Sequence, residues 1–283
     1  MAIFTNQATI SYNNTIRNSN VTTGQILTTV TAFKTAVIDD YTAGDDVTYV
    51  LSILNSGTTP LTDITVTDNL GGYDFNGTTV YPLQYVPDSI QYYVNGVLQA
   101  DPVVDAADDL VISGLNIPAG GNIMLIYEAA VTQYAPLDGE GTITNSAAVT
   151  GDCINEPVTA QENVTVRNEP NLTITKSVYP DTLTGCGQLT YTFIIQNTGN
   201  TAADAGANVI ITDDFDPALT GLLVTLNGDP LTAGTEYTYD EATGEFATIA
   251  GQITVPAATY TQDESGAWVV SPGVSVLVVT GSL

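Results

Sequence analysis

Residues 3–26 read IFTNQATISYNNTIRNSNVTTGQI, and residues 142–166 read TITNSAAVTGDCINEPVTAQENVTV. The second stretch is a copy of the first. Phe4-Thr5-Asn6 aligns with Ile143-Thr144-Asn145, Ala8 with Ala147, and Ile10 with Val149. Phe4, Asn6, Ala8, Ile10 and Tyr12 share one face, while Thr5, Gln7, Thr9 and Ser11 share the other. That period of two is the signature of a strand with one face destined for a core. The inner copy closes a domain that precedes it, and the N-terminal copy has no such domain to close.

Outward from these copies the whole chain is a duplication with a period of about 140 residues. Thr31–Ala36 matches Thr173–Val178, and Val47–Val50 matches Leu189–Thr192. Asn55-Ser56-Gly57 matches Asn197-Thr198-Gly199, and Ile64–Asp68 matches Val209–Asp213. Val94-Asn95-Gly96 and Leu226-Asn227-Gly228 are matching hairpin turns. The first repeat then continues through two further strands, at 143–150 and 158–166, and the second has no counterpart to them. Thr, Val, Ile and Tyr are abundant and helical periodicity is absent, so the expected fold is all-β. The predicted layout is a donor hairpin over 1–26, a complete sandwich over 27–168, and a sandwich over 169–283 that lacks its last strands.

A sandwich without those strands exposes an apolar cleft and an unpaired edge. The link from Gly24 to Leu27 reaches only about 13 Å at ~3.3 Å per residue. The hairpin is therefore expected at the opposite end of the molecule from the incomplete domain. It should complete that domain in a neighbouring copy, a head-to-tail contact that does not close and so builds a filament. The alternative is a structureless tail beside a shorter second repeat, but such a tail lacks alternation.

The 283 residues contain four basic and thirty-one acidic side chains, a net charge of −27, and no histidine. Like charge excludes nucleic acid and anionic membranes as partners. No apolar run approaches the ~20 residues of a membrane span. The acidity suits a solvated β surface that resists stray edge pairing. Clusters at Asp39, Asp40, Asp45 and Asp46 or Asp105, Asp108 and Asp109 have no calcium-loop spacing, so no metal and no cofactor is expected. Neither a secretory signal nor a wall-sorting tail is readable, which predicts a processed chain or release by lysis of a surrounding mother cell. Without histidine or a nucleophile motif, an enzyme is not expected.

The chain has two lysines, Lys34 and Lys176, at equivalent positions of the two repeats. Lys34 shares a face with Val30, Ala32 and Ala36, and Lys176 shares one with Leu172, Ile174 and Val178. Asp68 and Asp213 share the apolar faces of their own strands, and Asn145 and Asn6 interrupt the apolar faces of the two hairpin copies. A buried lysine tends toward its neutral form, and a neutral amine is a nucleophile. A buried protonated Asp can polarise a carboxamide and relay protons. Two Lys–Asn isopeptide bonds are thus predicted: Lys34–Asn145 within the first domain, assisted by Asp68, and Lys176 with Asn6 of the next subunit, assisted by Asp213. The other reading is an uncrosslinked Lys–Asp pair capped by Asn. Cys153 and Cys186 are disulfide candidates, with each other or between molecules, or remain thiols; sequence supplies no distance to decide.

The set Ile174-Thr175-Lys176, Leu189–Thr192, Asn197–Asn200, Ile211-Thr212-Asp213 and Ile143–Ala147 resembles the bacterial conserved-repeat surface domain, an immunoglobulin-like β-sandwich of Gram-positive surface proteins. The two-repeat layout opening on Phe4–Thr9 is similar to clostridial proteins that include major subunits of spore-surface appendages. The resemblance implies an extracellular location, on a spore or cell surface. It matches the family's Lys, Asp and Asn to Lys34, Asp68 and Asn145, whereas the second repeat matches only Lys176 and Asp213. The expectation is a structural filament subunit whose partner is itself, with an anchor or tip protein unspecified. The rival is a monomeric adhesin or carbohydrate-binding stalk module, which would gather Tyr92, Tyr93, Tyr237, Tyr239 and Trp268 into a surface patch.

Overall fold

The computed structural model describes residues 2–26, 29–183, 185 and 187–283, with the backbone alone for Ala2 and Ile26. Cys186 lies outside the described residues; Cys153 is exposed, at a positive φ of 70°. Among the described residues the chain is all-β apart from one 3-10 turn at Ala205–Ala207. It forms two compact units, Met1–Thr132 with Ile143–Val164, and Gln133–Thr142 with Thr165–Leu283.

The chain opens on a long hairpin. β1 (Ala2–Asn6) pairs with β4 (Thr22–Ile26), and β2 (Thr9–Tyr12) pairs with β3 (Thr15–Asn18). Asn13 and Asn14 both take positive φ, the conformation a two-residue hairpin turn demands. Pairing pauses at Gln7 and Ala8, where Ser19 takes over: its N–H donates to Ala8 O at 2.8 Å and its Oγ accepts from Ala8 N at 2.9 Å. The Phe4 ring lies on Gly24, its cross-strand partner, where a Cβ would sit 2.2 Å from the ring. Otherwise the hairpin is bare.

In the first unit, one sheet runs Val97–Leu98, β8 (Gln91–Val94), β10 (Asn122–Val131), β6 (Asp46–Asn55), β5 (Val30–Ala36). The facing sheet runs Val103–Asp105, β9 (Leu110–Ile117), β7 (Leu61–Asp68), β11 (Thr142–Thr150), β12 (Val158–Val166), Asp40–Tyr41. Alternation decides what is inside. Along β6, Val47, Tyr49, Leu51, Ile53 and Asn55 are buried, and along β11, Ile143, Asn145, Ala147 and Val149 are buried. Leu51, Ile53, Ile64, Ile112 and Tyr127 fill the space between the sheets.

In the second unit, one sheet repeats this pattern: β13 (Leu172–Tyr179), β14 (Gln188–Asn197), β19 (Gly273–Ser282), β16 (Thr220–Leu226), Asp229–Pro230. The facing sheet holds three strands, β15 (Thr212–Asp214), β18 (Glu245–Thr248) and β17 (Tyr237–Tyr239). β15 occupies the place of β7. Among the described residues, nothing pairs with its outer edge as β11 pairs with β7. The core gathers around Phe215, whose ring lies 4.9 Å from Tyr191 and 5.8 Å from Phe246.

Asn55 and Asn197 are the matching hubs of the two repeats, both fully buried. Asn55 Nδ2 donates to Thr59 O and Pro118 O, and Asn197 Nδ2 to Thr201 O and Pro256 O. Each Oδ1 accepts the N–H of the glycine two residues on. A Cβ on Gly199 would lie 2.1 Å from Glu169 O, so only glycine fits there. Asn55→Ala leaves two carbonyls without a donor and is expected to cost about 1–3 kcal/mol in urea unfolding. An unchanged midpoint would remove the hub role.

Candidate functional site

The lysine that alternation turns inward on β5 is fully enclosed. Lys34 Nζ donates to Asp68 Oδ2 at 2.6 Å, with neither side chain exposed. β5 supplies the lysine from the edge of one sheet, and β7 supplies the aspartate from the other. Asp68 is held further by Leu70 N–H on Oδ1 at 3.0 Å and by the Tyr127 hydroxyl, which donates to Oδ2 in a short hydrogen bond. Lys34 Nζ also stands 4.7 Å from the Tyr49 ring centre. Tyr49 and Tyr127 are cross-strand partners with stacked rings, 5.8 Å between centres.

Asn145 arrives on β11, which pairs with β7 so that Ala147 faces Asp68 and Val149 faces Val66. Its carboxamide is completely buried, and neither Oδ1 nor Nδ2 has a hydrogen-bond partner. A buried amide without partners costs about 1–3 kcal/mol, and native structures tolerate few such groups. The Tyr49 hydroxyl is buried and unpartnered too. The amide lies close enough to the Tyr49 and Tyr127 hydroxyls to affect their ionisation.

Burial is the main influence on the Lys34 amine and brings its pKa down to about 8, against the opposing pull of Asp68 and, more weakly, Glu162. Burial also pushes the Tyr49 and Tyr127 hydroxyls well above the usual tyrosine range. The lysine's folded pKa lies below its unfolded value of 10.5, so between pH 8 and that value the unfolded chain binds more protons. Asn145→Ala, which leaves the Lys34 amine free, is expected to gain stability from pH 8 toward pH 10, at up to about 1.4 kcal/mol per unit. Above that the raised tyrosines reverse the slope. Urea midpoints across the window check this, and a falling curve from pH 8 to 9 contradicts it.

The second unit holds the same pair in an open setting. Lys176 Nζ is in ion contact with Asp213 Oδ2, but Lys176 is 40% exposed and Asp213 16%. Asp213 Oδ2 accepts no well-formed hydrogen bond. One ring beside Lys34 is repeated beside Lys176: Tyr191 lies 4.6 Å from its Nζ, in the place of Tyr49, with Phe215 and Phe193 slightly further. The inward face of β13 is laid open beside it, with Ile174 52% and Val178 39% exposed. Asn6 is on β1, exposed and paired with Thr22. Phe4 and Ile10 are more than half exposed, whereas their copies Ile143 and Val149 are buried; Tyr12 is more than half exposed as well, and Ala8 is exposed where Ala147 is buried.

Sequence reasoning missed the two tyrosines. Alternation along β6 and β10 turns them inward, but only the cross-strand register places them at the lysine. Three of the five aromatic residues weighed for a binding patch are spent elsewhere. Tyr92 and Tyr237 are buried, and Tyr92 OH exchanges hydrogen bonds with the Asn116 backbone. Tyr239 OH bonds Leu219 O and N. Asp45 and Asp105 accept backbone N–H groups in their own turns. Among the described residues no helix is long and apolar enough to cross a membrane.

No protein-family model and no curated protein matches the chain. Among solved structures, the chain is similar to the major pilin subunit of Bacillus cereus, with 11% identity, covering 87% of this chain and 65% of that one, at a TM-score of 0.38. It is similar to the major pilin of Streptococcus agalactiae, with 13% identity, covering 86% and 91%, at 0.36. The collagen-binding domain of a Staphylococcus aureus adhesin shares 15% identity over 51% of this chain and 100% of that one, at 0.31. Superpositions this loose assign neither family nor function, and the two sandwiches rest on this chain's own strand pairing.

Proposed function

We propose that the chain is the structural subunit of an extracellular filament, on a spore or cell surface, and that subunits join head to tail by strand donation. One contrast carries the reading. The inward face of the alternating strand is buried at 143–149 and the matching face is bare at 4–12, while the second sandwich has an open edge where the buried copy would lie. An exposed two-stranded ribbon with Ile3, Phe4, Ile10 and Ile16 in water is poorly stable alone. Transposed to the joint, the β11–β7 register would set Ala8 of one subunit opposite Asp213 of the next and Ile10 opposite Ile211. The contact is heterologous and does not close, so it propagates.

Burial of Phe4, Ile10 and Tyr12 contributes about 1.5–3 kcal/mol each, against an association cost of about 4–15 kcal/mol. Ladder hydrogen bonds strengthen the joint, and a covalent bond makes it permanent. In that step the Lys–Asp pair shifts its proton from Nζ to the carboxylate, giving a neutral amine and a neutral acid. The Nζ lone pair attacks Cγ of the asparagine while the acid polarises Oδ1. The aspartate carries the Nζ proton to Nδ2, the Cγ–Nδ2 bond breaks, and ammonia leaves. Lys34, Asp68 and Asn145 do this inside the first unit; Lys176, Asp213 and the Asn6 of a neighbour do it at the joint. No oxidant, metal or cofactor takes part.

Asn6→Ala tests the joint, because it keeps the donor strand and removes the leaving amide. The variant is expected to form filaments by electron microscopy that fall to monomers in hot detergent. Wild-type filaments should survive as a ladder whose subunits have each lost ammonia. A wild-type ladder that collapses to full-mass monomers removes the crosslink, and a wild-type protein that forms no polymer removes the filament.

A further inference from the structure

The Tyr49 hydroxyl has no role in the scheme above. It is buried and has no partner. So is the Asn145 carboxamide, which lies near that hydroxyl, and the Tyr49 ring centre in turn stands 4.7 Å from Lys34 Nζ. Two adjacent unsatisfied groups in an otherwise well-bonded core call for an explanation, and reaction chemistry offers one. The neighbouring Tyr127 hydroxyl is already committed to Asp68. Among the described residues, Tyr49 is the hydroxyl at this site with no other bond.

We infer that Tyr49 donates its hydroxyl to Asn145 Oδ1 as the crosslink forms, and that Tyr191 does the same for the incoming Asn6 at the joint. The inference rests on the crosslink reading and adds a residue to it. When Nζ attacks Cγ, negative charge gathers on Oδ1. Asp68 must handle protons on nitrogen in the same step, so a second donor fixed on the oxygen lowers the barrier. The Tyr49 hydroxyl stays protonated because burial holds its ionisation far above neutral pH. Its ring is clamped against Tyr127, so the donor is placed in advance.

The duplication supports the assignment independently. Tyr49 faces Ala36, two residues past Lys34, and Tyr191 faces Val178, two residues past Lys176. The ring-to-Nζ distances are 4.7 and 4.6 Å. The other tyrosine is not repeated: the partner of Tyr49 across the sheet is Tyr127, but that of Tyr191 is Val279. A residue needed only for core volume could vary as Tyr127 does. The hydroxyl placed for the carbonyl is present in both repeats, and the hydroxyl on the aspartate is present in one.

The test uses the full chain made by cell-free synthesis, quenched in guanidinium at timed intervals and read by intact mass and crosslinked-peptide mapping. Tyr49→Phe is expected to slow ammonia loss at Lys34–Asn145 by about 100-fold, with native near-ultraviolet dichroism retained. Tyr191→Phe is expected to slow the joint crosslink to a similar degree. Its Lys34–Asn145 bond should form at the wild-type rate, an internal control in the same chain. If Tyr49→Phe does not fold, Tyr191→Phe decides. Wild-type rates in a folded Tyr49→Phe or in Tyr191→Phe overturn the assignment while leaving the crosslink standing. A wild-type chain that keeps its full mass overturns both.

Discussion

A chain lacking residues 2–12 is expected to fold both sandwiches and to form no polymer. The side chains removed lie in water, and their strands pair only within the hairpin. Their loss therefore takes nothing from either core, and the unfolding midpoints of the two units should stay within about 0.5 kcal/mol of wild type. Polymer should vanish, because the only described segment matching the buried β11 face has gone. A peptide of residues 2–26 added in excess should occupy the open edge at β15 and stop wild-type subunits from joining. Velocity sedimentation and negative-stain images read both results. Filaments of normal length from the truncated chain would show that the hairpin is not the joint.

Lys34→Ala and Lys176→Ala remove the same residue type from the same place in two copies, yet opposite outcomes are expected. Lys34 and Asp68 are fully enclosed. Losing the lysine strands a buried carboxylate and should cost about 3–5 kcal/mol before any covalent bond is counted. Replacing both partners, as Lys34→Met with Asp68→Leu, should recover most of that loss, since no charge is left unpaired. Lys176 is partly solvated, so its removal should cost the second unit under about 1 kcal/mol. What it should lose is the detergent-resistant joint. Urea unfolding of the four proteins settles the comparison, and equal destabilisation by the two alanines would mean that the enclosure difference has no energetic meaning.

Much of this was legible because duplication supplies its own control. Lys34 with Lys176, Asp68 with Asp213, and Asn55 with Asn197 stand out once the repeats are aligned, and alternation assigns their faces. The pairing of Lys34 with Asp68 follows from two inward strands meeting across a narrow sandwich. The tyrosines did not emerge, since an inward Tyr in a strand reads as core until its register is known. The pause at Gln7 and Ala8 was hidden as well, because it depends on Ser19 bonding back across the ribbon. So was the allegiance of Gln133–Thr142. By sequence it sits inside the first repeat, but Trp268 N–H donates to Gln133 O and Asn200 Nδ2 to Leu137 O, which ties it to the second unit.

The contrast between the two lysines has a practical consequence. The chain's basic residues are Arg17, Arg167, Lys34 and Lys176, and only the last carries a lysine amine that solvent can reach. An amine-reactive dye or aldehyde fixative should therefore find a single lysine on a free subunit and none once that amine has become an amide. Labelling mapped to Lys176 would report unjoined ends rather than fibre mass, and a subunit tagged there could enter the fibre only through a joint that hot detergent opens.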